Sequence, residues 1–196
     1  MAKLSIGKIS KDLGFALMKL GLNLTKSHLS ENSYWTLKSA IQDAEFIAKE
    51  KIEIKQIESS KLYQIVKKQM QTDTWLWDGV IYYTTLNEWK KIIRQDLIDR
   101  LKWILDKFDC DNFATIFTAF MSVFYGLNSA GLALGAILDK NTKKVIGYHA
   151  YNVIVAEDSG EVKLFVYEPQ SDEIQIAKKE TYMSWAIYRT DLIIWR

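Results

Sequence analysis

A change of hydrophobic periodicity near residue 126 constrains the fold of this chain more than any other feature. Residues 111–125 are apolar on nearly every side, which predicts a helix buried in the middle of a domain and ending at Gly126. Beyond Ser129 the apolar residues recur at every second position, the period of a β-strand. Candidate strands cover 131–137, 144–156, 162–168, 173–177 and 185–195. The sequence therefore predicts an α+β fold, with a buried helix packed on an antiparallel sheet.

The region before this unit has a helical pattern. Apolar residues recur at helical spacing between Leu4 and Leu24, and 33–70 continues helix-like. We expect a helical N-terminal region over 1–80, as an arm or a layer packed on the core, and a main domain over 81–196. The apolar face of the first helix favours packing against its own domain, although a basic amphipathic helix also suits a membrane surface or a partner.

Charge and cysteine content exclude several classes of function. A net charge of +2 is too small to indicate a nucleic-acid partner. The single cysteine excludes an intramolecular disulfide and a zinc site built from several thiolates. With no signal-peptide pattern, it predicts a reduced, cytoplasmic protein. No apolar run approaches the ~18 residues of a membrane-spanning helix.

Cys110 stands where the buried helix is expected to begin. The first turn of a helix offers unpaired N–H groups and the positive end of the dipole, and both favour a thiolate. The same N–H groups suit the stabilisation of an oxyanion. A lone cysteine is more often a small buried hydrophobic residue, so that alternative stays open.

His149 and Glu168 fall on matching faces of two consecutive candidate strands. Residues 157–160 have the composition of a β-turn. If 157 pairs with 160, His149 lies directly opposite Glu168, with their Cβ atoms about 5 Å apart. A carboxylate beside an imidazole stabilises the imidazolium that a thiolate needs as its partner. A purely structural His–Glu pair is the alternative, and Asn152 should face the other side of the sheet.

Three short motifs, in this order, resemble a known family. FDCDNFA at 108–114, GYHAYN at 147–152 and VYEPQ at 166–170 are similar to the papain-like cysteine peptidase domain of the Marasmius oreades agglutinin and its phage, archaeal and bacterial relatives. The resemblance covers about 102–173. It implies a papain-like fold and a catalytic triad with Cys110 as nucleophile, His149 as general base and Glu168 as orienting acid.

The same resemblance implies further site residues and a metal. Trp103 and Gln170 are expected to line the active site. Calcium dependence is also implied, and the nearby carboxylates that suit calcium are those of Asp99, Asp106, Asp109, Asp111 and Asp172. The sequence itself requires no cofactor, and ordinary helix capping or surface solvation explains these acids equally well.

Two functions follow from these observations. The first is a cysteine peptidase that hydrolyses a peptide or isopeptide bond of a peptide or protein substrate through an acyl-enzyme. The alternative is a non-enzymatic structural or interaction protein, encoded by a virus or mobile element, on a papain-like scaffold. The first 70 residues favour the alternative, because peptidase chemistry does not need them.

Overall fold

The computed structural model describes residues 6–195, and their side chains from Asp12 onward. The helices are α1 (Ile6–Thr25), α2 (Glu31–Lys49), α3 (Ser59–Gln69), α4 (Leu86–Ile93) and α5 (Cys110–Tyr125). The strands are β1 (Lys55–Glu58), β2 (Asp73–Leu76), β3 (Val80–Thr85), β4 (Ala130–Leu138), β5 (Val145–Asp158), β6 (Glu161–Glu168), β7 (Glu173–Ile176), β8 (Glu180–Tyr182) and β9 (Ile187–Trp195). Short 3-10 turns cover Lys26–His28 and Ile98–Arg100.

The strands form one mixed sheet whose longest path runs β1-β3-β5-β4-β9-β2. Strand β5 is its spine, because residues 152–154 pair with β4 on one edge and with β6 on the other. Strands β4, β5, β6, β7 and β9 are joined by antiparallel pairing. Two pairs run parallel, β2 beside β9 and β3 beside β5.

The parallel pairs correct the predicted fold class. The sheet is not purely antiparallel, and the N-terminal region is not purely helical, because β1 and β2 lie within residues 1–80. Strands of four residues are too short for their periodicity to stand out from a helical pattern. Pairing between β2 and β9 also joins residues far apart in the chain, which no local pattern reveals. The division at residue 80 stays a prediction.

Helix α5 confirms the prediction made for its residues. It begins at Cys110 and ends at Tyr125, where Gly126 takes the left-handed conformation with φ 64°. At its start, the Asp109 N–H donates to Asn112 Oδ1 at 3.0 Å. The helix is not buried on every side, since Val123 remains 75% exposed.

Two hydrophobic cores lie on the two faces of the sheet, and β5 contributes to both. Val153 and Val155 pack in the core beneath α3, while Ile154 and Ala156 pack in the core formed with α4 and α5. A strand buried on both faces is held firmly in place. The N-terminal half of β5, which carries His149, is thereby held beside the start of α5.

Candidate functional site

An open cleft of about 510 Å³ lies where α5 begins and where β4, β5 and β9 run side by side. The residues that line it are Asp109, Cys110, Asp111, Leu134, Gly135, Tyr148, His149, Ala150 and Asp191. Two of the sequence-predicted site residues, Cys110 and His149, therefore share one cavity.

A hydrogen-bonding interaction with His149 is the main influence on the pKa of the Cys110 thiol. This bond lowers the pKa of the Cys110 thiol, although burial opposes the effect, and a further hydrogen bond from the Ala150 backbone contributes to the lowering. Burial acts to lower the pKa of His149, but hydrogen bonds to Cys110 and Glu168 outweigh it and raise that pKa to about 9. The arrangement favours a thiolate beside an imidazolium.

Glu168 holds the imidazole in place from the other side. His149 Nε2 lies 2.6 Å from Glu168 Oε2, which also accepts a hydrogen bond from the Tyr188 hydroxyl at 2.7 Å. Glu168 Oε1 accepts from the Gln170 backbone N–H at 3.2 Å. The carboxylate is only 3% exposed, so it is a buried and fully hydrogen-bonded group.

The strand register differs from the predicted one. The turn consists of Ser159 and Gly160, both at positive φ, and the pair that closes it is Asp158 with Glu161. The prediction that His149 lies directly opposite Glu168 is therefore wrong. The observed register differs from the predicted one by an even number of positions. The side chains of His149 and Glu168 therefore stay on one face of the sheet and meet diagonally.

Asn152 faces away from this site, as predicted. Its Nδ2 donates to the Ala114 carbonyl at 3.0 Å and to Thr118 Oγ1 at 3.1 Å. Its role is to join β5 to α5.

Two aromatic residues near His149 were missed by sequence reasoning. The rings of Trp185 and Tyr188 both meet the imidazole edge to face, at centroid distances of 6.1 and 5.3 Å. Trp185 Nε1 donates to the Tyr188 hydroxyl at 3.0 Å, which extends the hydrogen-bond chain beyond Glu168. Their sequence signal was weak, because an aromatic residue in a strand normally indicates core packing.

The two residues that the resemblance added to the site lie in different places. Gln170 is beside the cleft, where its backbone and its Nε2, at 3.4 Å, both reach Glu168 Oε1. Trp103 is 49% exposed and is not among the residues that line the cleft. The structure thus brings Gln170 to the site and leaves Trp103 outside its walls.

Acidic side chains surround the mouth of the cleft. Asp191 reaches it through a β-bulge, because β9 pairs Leu192 with Leu134 and Thr190 with Gly135, leaving Asp191 unpaired between them. On the opposite wall a hydrogen bond between Asp109 and Asp111 raises the pKa of Asp109.

These carboxylates do not form a metal site. Within residues 12–195, no group of three or more His, Cys, Asp or Glu side chains is arranged to hold a metal ion. Asp172 instead accepts a hydrogen bond from the Tyr167 hydroxyl at 2.9 Å. The residues present do not fit the calcium ion that the resemblance implies, so calcium dependence stays a prediction without structural support.

Comparison with known proteins identifies the family. The family model of the ricin-type beta-trefoil lectin C-terminal domain matches residues 39–188, about three quarters of the chain. This chain belongs to that family. The match includes every residue that lines the cleft except Asp191, and it starts within α2, so α1 lies outside it. No curated protein matches the chain significantly.

Solved lectin structures share the fold. One is titled "PSL1a-E64 complex", with a TM-score of 0.54 and 19% identity over 71% of this chain and 51% of that one. Another is Polyporus squamosus lectin bound to the human-type influenza-binding epitope Neu5Acα2-6Galβ1-4GlcNAc, with the same TM-score and identity over 71% of this chain and 49% of that one. The chain thus spans about half the length of the structures it matches.

These matches bear on the predicted family and function. A lectin-related domain of the Marasmius agglutinin type is confirmed. The predictions of a papain-like fold, a cysteine peptidase and a peptide substrate are wrong, because both the family model and the matching structures are those of lectins. The non-enzymatic alternative agrees better with these findings. The assignment of Cys110, His149 and Glu168 as nucleophile, base and orienting carboxylate stays a prediction.

No helix among the described residues is both long enough and apolar enough to cross a membrane.

Proposed function

We propose that this chain is a non-enzymatic binding domain and that its ligand is a carbohydrate held in the cleft beside Cys110. Membership of a lectin domain family supports the ligand class, as does the sialylated trisaccharide bound to Polyporus squamosus lectin. A cytoplasmic location remains a prediction from the single cysteine.

Two features of the cleft support this proposal: exposed aromatic rings beside it and buried polar side chains beneath them. Tyr148 on the cleft wall is 78% exposed, and Trp185 beside His149 is 51% exposed. Large aromatic rings bind apolar faces, such as the C–H face of a sugar ring, with little loss of side-chain entropy. The carboxylates of Asp109, Asp111 and Asp191 supply acceptors for sugar hydroxyls.

The buried residues have a separate role in this proposal. Glu168 and Tyr188 fix the position of His149, and His149 fixes the thiol of Cys110, so the floor of the cleft is preorganised before a ligand arrives. A rigid floor reduces the entropy that binding costs. The activated thiol also reports on occupancy, because a ligand in the cleft would shield it from alkylation.

The experiment is glycan-array screening of the full chain, followed by titration calorimetry with the best glycan. Replacing Tyr148 with Ala should weaken binding at least about tenfold, because it removes an exposed aromatic face. Tyr82→Ala is the matched control, since Tyr82 is an exposed tyrosine (43%) on β3 and does not line the cleft. Bound glycan should also slow alkylation of Cys110.

Two results would contradict the proposal. One is equal loss of binding in the Tyr148 and Tyr82 variants, which would place the ligand elsewhere. The other is cleavage of a peptide library by the wild type but not by Cys110→Ala, since a non-enzymatic domain does not turn over a substrate.

A further inference from the structure

A second, smaller cavity of about 190 Å³ adjoins the cleft along helix α5. Its lining residues are Thr115, Thr118, Ala119, Ser122, Leu132 and Ile194, and we call it the α5 groove. Thr115 lies one helical turn beyond Asp111 of the cleft. Leu132 lies two positions from Leu134 of the cleft, on the same face of β4. The cleft and the α5 groove are therefore successive parts of one depression between α5 and the sheet.

Trp75 borders the end of the α5 groove that is farther from Cys110. It pairs with Ile194 in the parallel register of β2 and β9, so the two side chains share one face of the sheet. Ile194 lines the α5 groove three positions beyond Asp191 of the cleft. Strand β2 ends the longest path of the sheet, and the Trp75 side chain is 57% exposed. A large aromatic face is thus open to a ligand that leaves the cleft along α5.

We propose that the ligand is an oligosaccharide rather than a single sugar. Its first ring lies in the cleft beside Cys110, the next rings follow the α5 groove, and Trp75 stacks on an outer ring. This extended site rests on the proposed function and lengthens its cleft. From Asp111 to Ser122 helix α5 rises by about 16 Å, which exceeds the width of one sugar ring.

The chemistry of the α5 groove fits an uncharged sugar chain. Thr115 and Ser122 are exposed and offer hydroxyl groups as donors and acceptors. Leu132 and Ile194 offer apolar surface to the C–H faces of sugar rings, as the indole of Trp75 does. All six lining residues are uncharged, which argues against a nucleic acid, because phosphate groups are bound by lysine and arginine.

A buried polar atom beneath the α5 groove also favours a ligand that carries hydroxyl groups. Asn152 is fully buried, and within residues 12–195 its Oδ1 has no hydrogen-bond partner. Its Nδ2 donates to Thr118 Oγ1 at 3.1 Å, and its backbone pairs with Leu132. Both neighbours line the α5 groove, so this acceptor lies directly under the floor. A sugar hydroxyl at the floor, bonded directly or through a water molecule, would satisfy it.

Titration calorimetry with fragments of the best glycan, from the shortest that binds to the longest, tests the proposal. The affinity of the wild type should rise at least about tenfold along this series, because longer fragments reach Trp75. Trp75→Ala should lose that gain and bind the shortest fragment as the wild type does. Trp103→Ala is the matched control, since Trp103 is 49% exposed and lines neither cavity.

A second variant blocks the α5 groove itself. Ala119 is exposed on α5, so Ala119→Arg places a long side chain in the groove, and arginine is a good helix former. Affinity for the longest fragment should fall at least about tenfold, whereas the shortest fragment should bind unchanged. Val123→Arg is the control on the same helix, because Val123 is 75% exposed and does not line the groove. Circular dichroism checks that each variant is folded.

The possible failures separate the extended site from the proposed function. Equal affinity of the wild type for all fragments would overturn the extended site, as would wild-type affinity of Trp75→Ala and Ala119→Arg for the longest fragment. The proposed function survives either result if Tyr148→Ala still weakens binding of the shortest fragment. A wild type that binds no glycan would reject both. Weaker binding of a peptide library by Trp75→Ala, with glycan affinity unchanged, would assign the α5 groove to a peptide instead.

Discussion

At the scale of single residues, Glu168 determines the electrostatics of the cleft. It is the one group that contacts His149, Tyr188 and Gln170, and it does so from a buried position. Its contact with His149 helps raise the pKa of the imidazole, and the imidazolium in turn lowers the pKa of Cys110. A change at Glu168 should therefore be measurable at a sulfur atom that it does not touch.

Replacing Glu168 with Gln should move the alkylation of Cys110 to higher pH. Gln keeps an acceptor for the imidazole but loses the charge that stabilises imidazolium, so the pKa of His149 falls and that of Cys110 rises. The measurement is the rate of iodoacetamide reaction against pH. In the wild type, the reaction should set in at a lower pH than for an ordinary cysteine, because the pKa of Cys110 is lowered.

Tyr188→Phe provides a graded control for that shift. It removes one hydrogen bond to Glu168 and keeps the charge of that residue. The pH profile of Cys110 alkylation should therefore shift less in Tyr188→Phe than in Glu168→Gln. Identical titration curves for Glu168→Gln and wild type would show that Glu168 has only a structural role beside His149.

Local patterns predict part of this site, and long-range pairing supplies the rest. The start of α5 at Cys110 and the common face of His149 and Glu168 follow from periodicity, and the structure confirms both. Trp185 and Asp191 could not be placed this way. Trp185 meets His149 from the bend between β8 and β9, and Asp191 enters the cleft through a bulge that a sequence does not display.

At the scale of helices and strands, Asp43 joins α2 to α5. Its Oδ1 accepts a hydrogen bond from the Tyr125 hydroxyl at 2.7 Å, and Ser39 approaches its Oδ2 at 3.5 Å. Burial raises the pKa of Asp43 to about 6, although both hydrogen bonds act to lower it. The carboxylate is thus less stable in the folded protein than in the unfolded chain.

This pKa predicts how stability changes with pH. Between about pH 4 and pH 6 the folded protein holds a proton at Asp43 that the unfolded chain releases, so stability falls as pH rises through that window. Asp43→Asn keeps the acceptor for Tyr125 and removes the charge. It should match the wild type near pH 4 and exceed its unfolding free energy at pH 7 by about 3 kcal/mol.

Urea denaturation at both pH values measures the difference. Glu45→Gln is the control on the same helix, because Lys19 and Lys49 hold the pKa of Glu45 below its usual value and its charge is favourable. An Asp43→Asn protein that is less stable than the wild type at pH 7 would contradict the burial argument.

Gly135 lies so close to β9 that adding a single methyl group there should destabilise the protein. A Cβ atom there would lie 2.1 Å from the Arg189 carbonyl oxygen, at the bulge that delivers Asp191. Gly135→Ala should therefore cost about 3 kcal/mol or more of stability, because backbone atoms must move. Gly147→Ala is the matched control, since its Cβ would meet Ile137 at an ordinary 3.4 Å. Thermal unfolding of the two variants should differ clearly, and equal melting temperatures would mean that β9 can shift freely.

At the scale of the whole molecule, one sheet with a core on each face organises the chain from α2 to β9. Strand β5 belongs to both cores, so neither core can open without disturbing the other. Helix α1 stands outside this arrangement and contacts the rest of the chain mainly through α2. The family match, which starts at residue 39, is consistent with that division.

Removing residues 1–29 should therefore leave a folded protein. The deletion loses the burial of Leu22 and the contacts of Lys19 and Asn23 with α2, a cost of about 2–3 kcal/mol, but touches neither core. Chemical denaturation should still show one cooperative transition, and the pH profile of Cys110 alkylation should be unchanged.

A deletion through residue 49 is the contrasting case. It removes Asp43, the hydrogen-bond partner of the buried Tyr125 hydroxyl, and the Ser39 hydroxyl that accepts from the Leu97 N–H at 2.9 Å, so cooperative unfolding should be lost. If the shorter deletion already abolishes the transition, α1 is part of the folding unit and the division drawn at α2 is wrong.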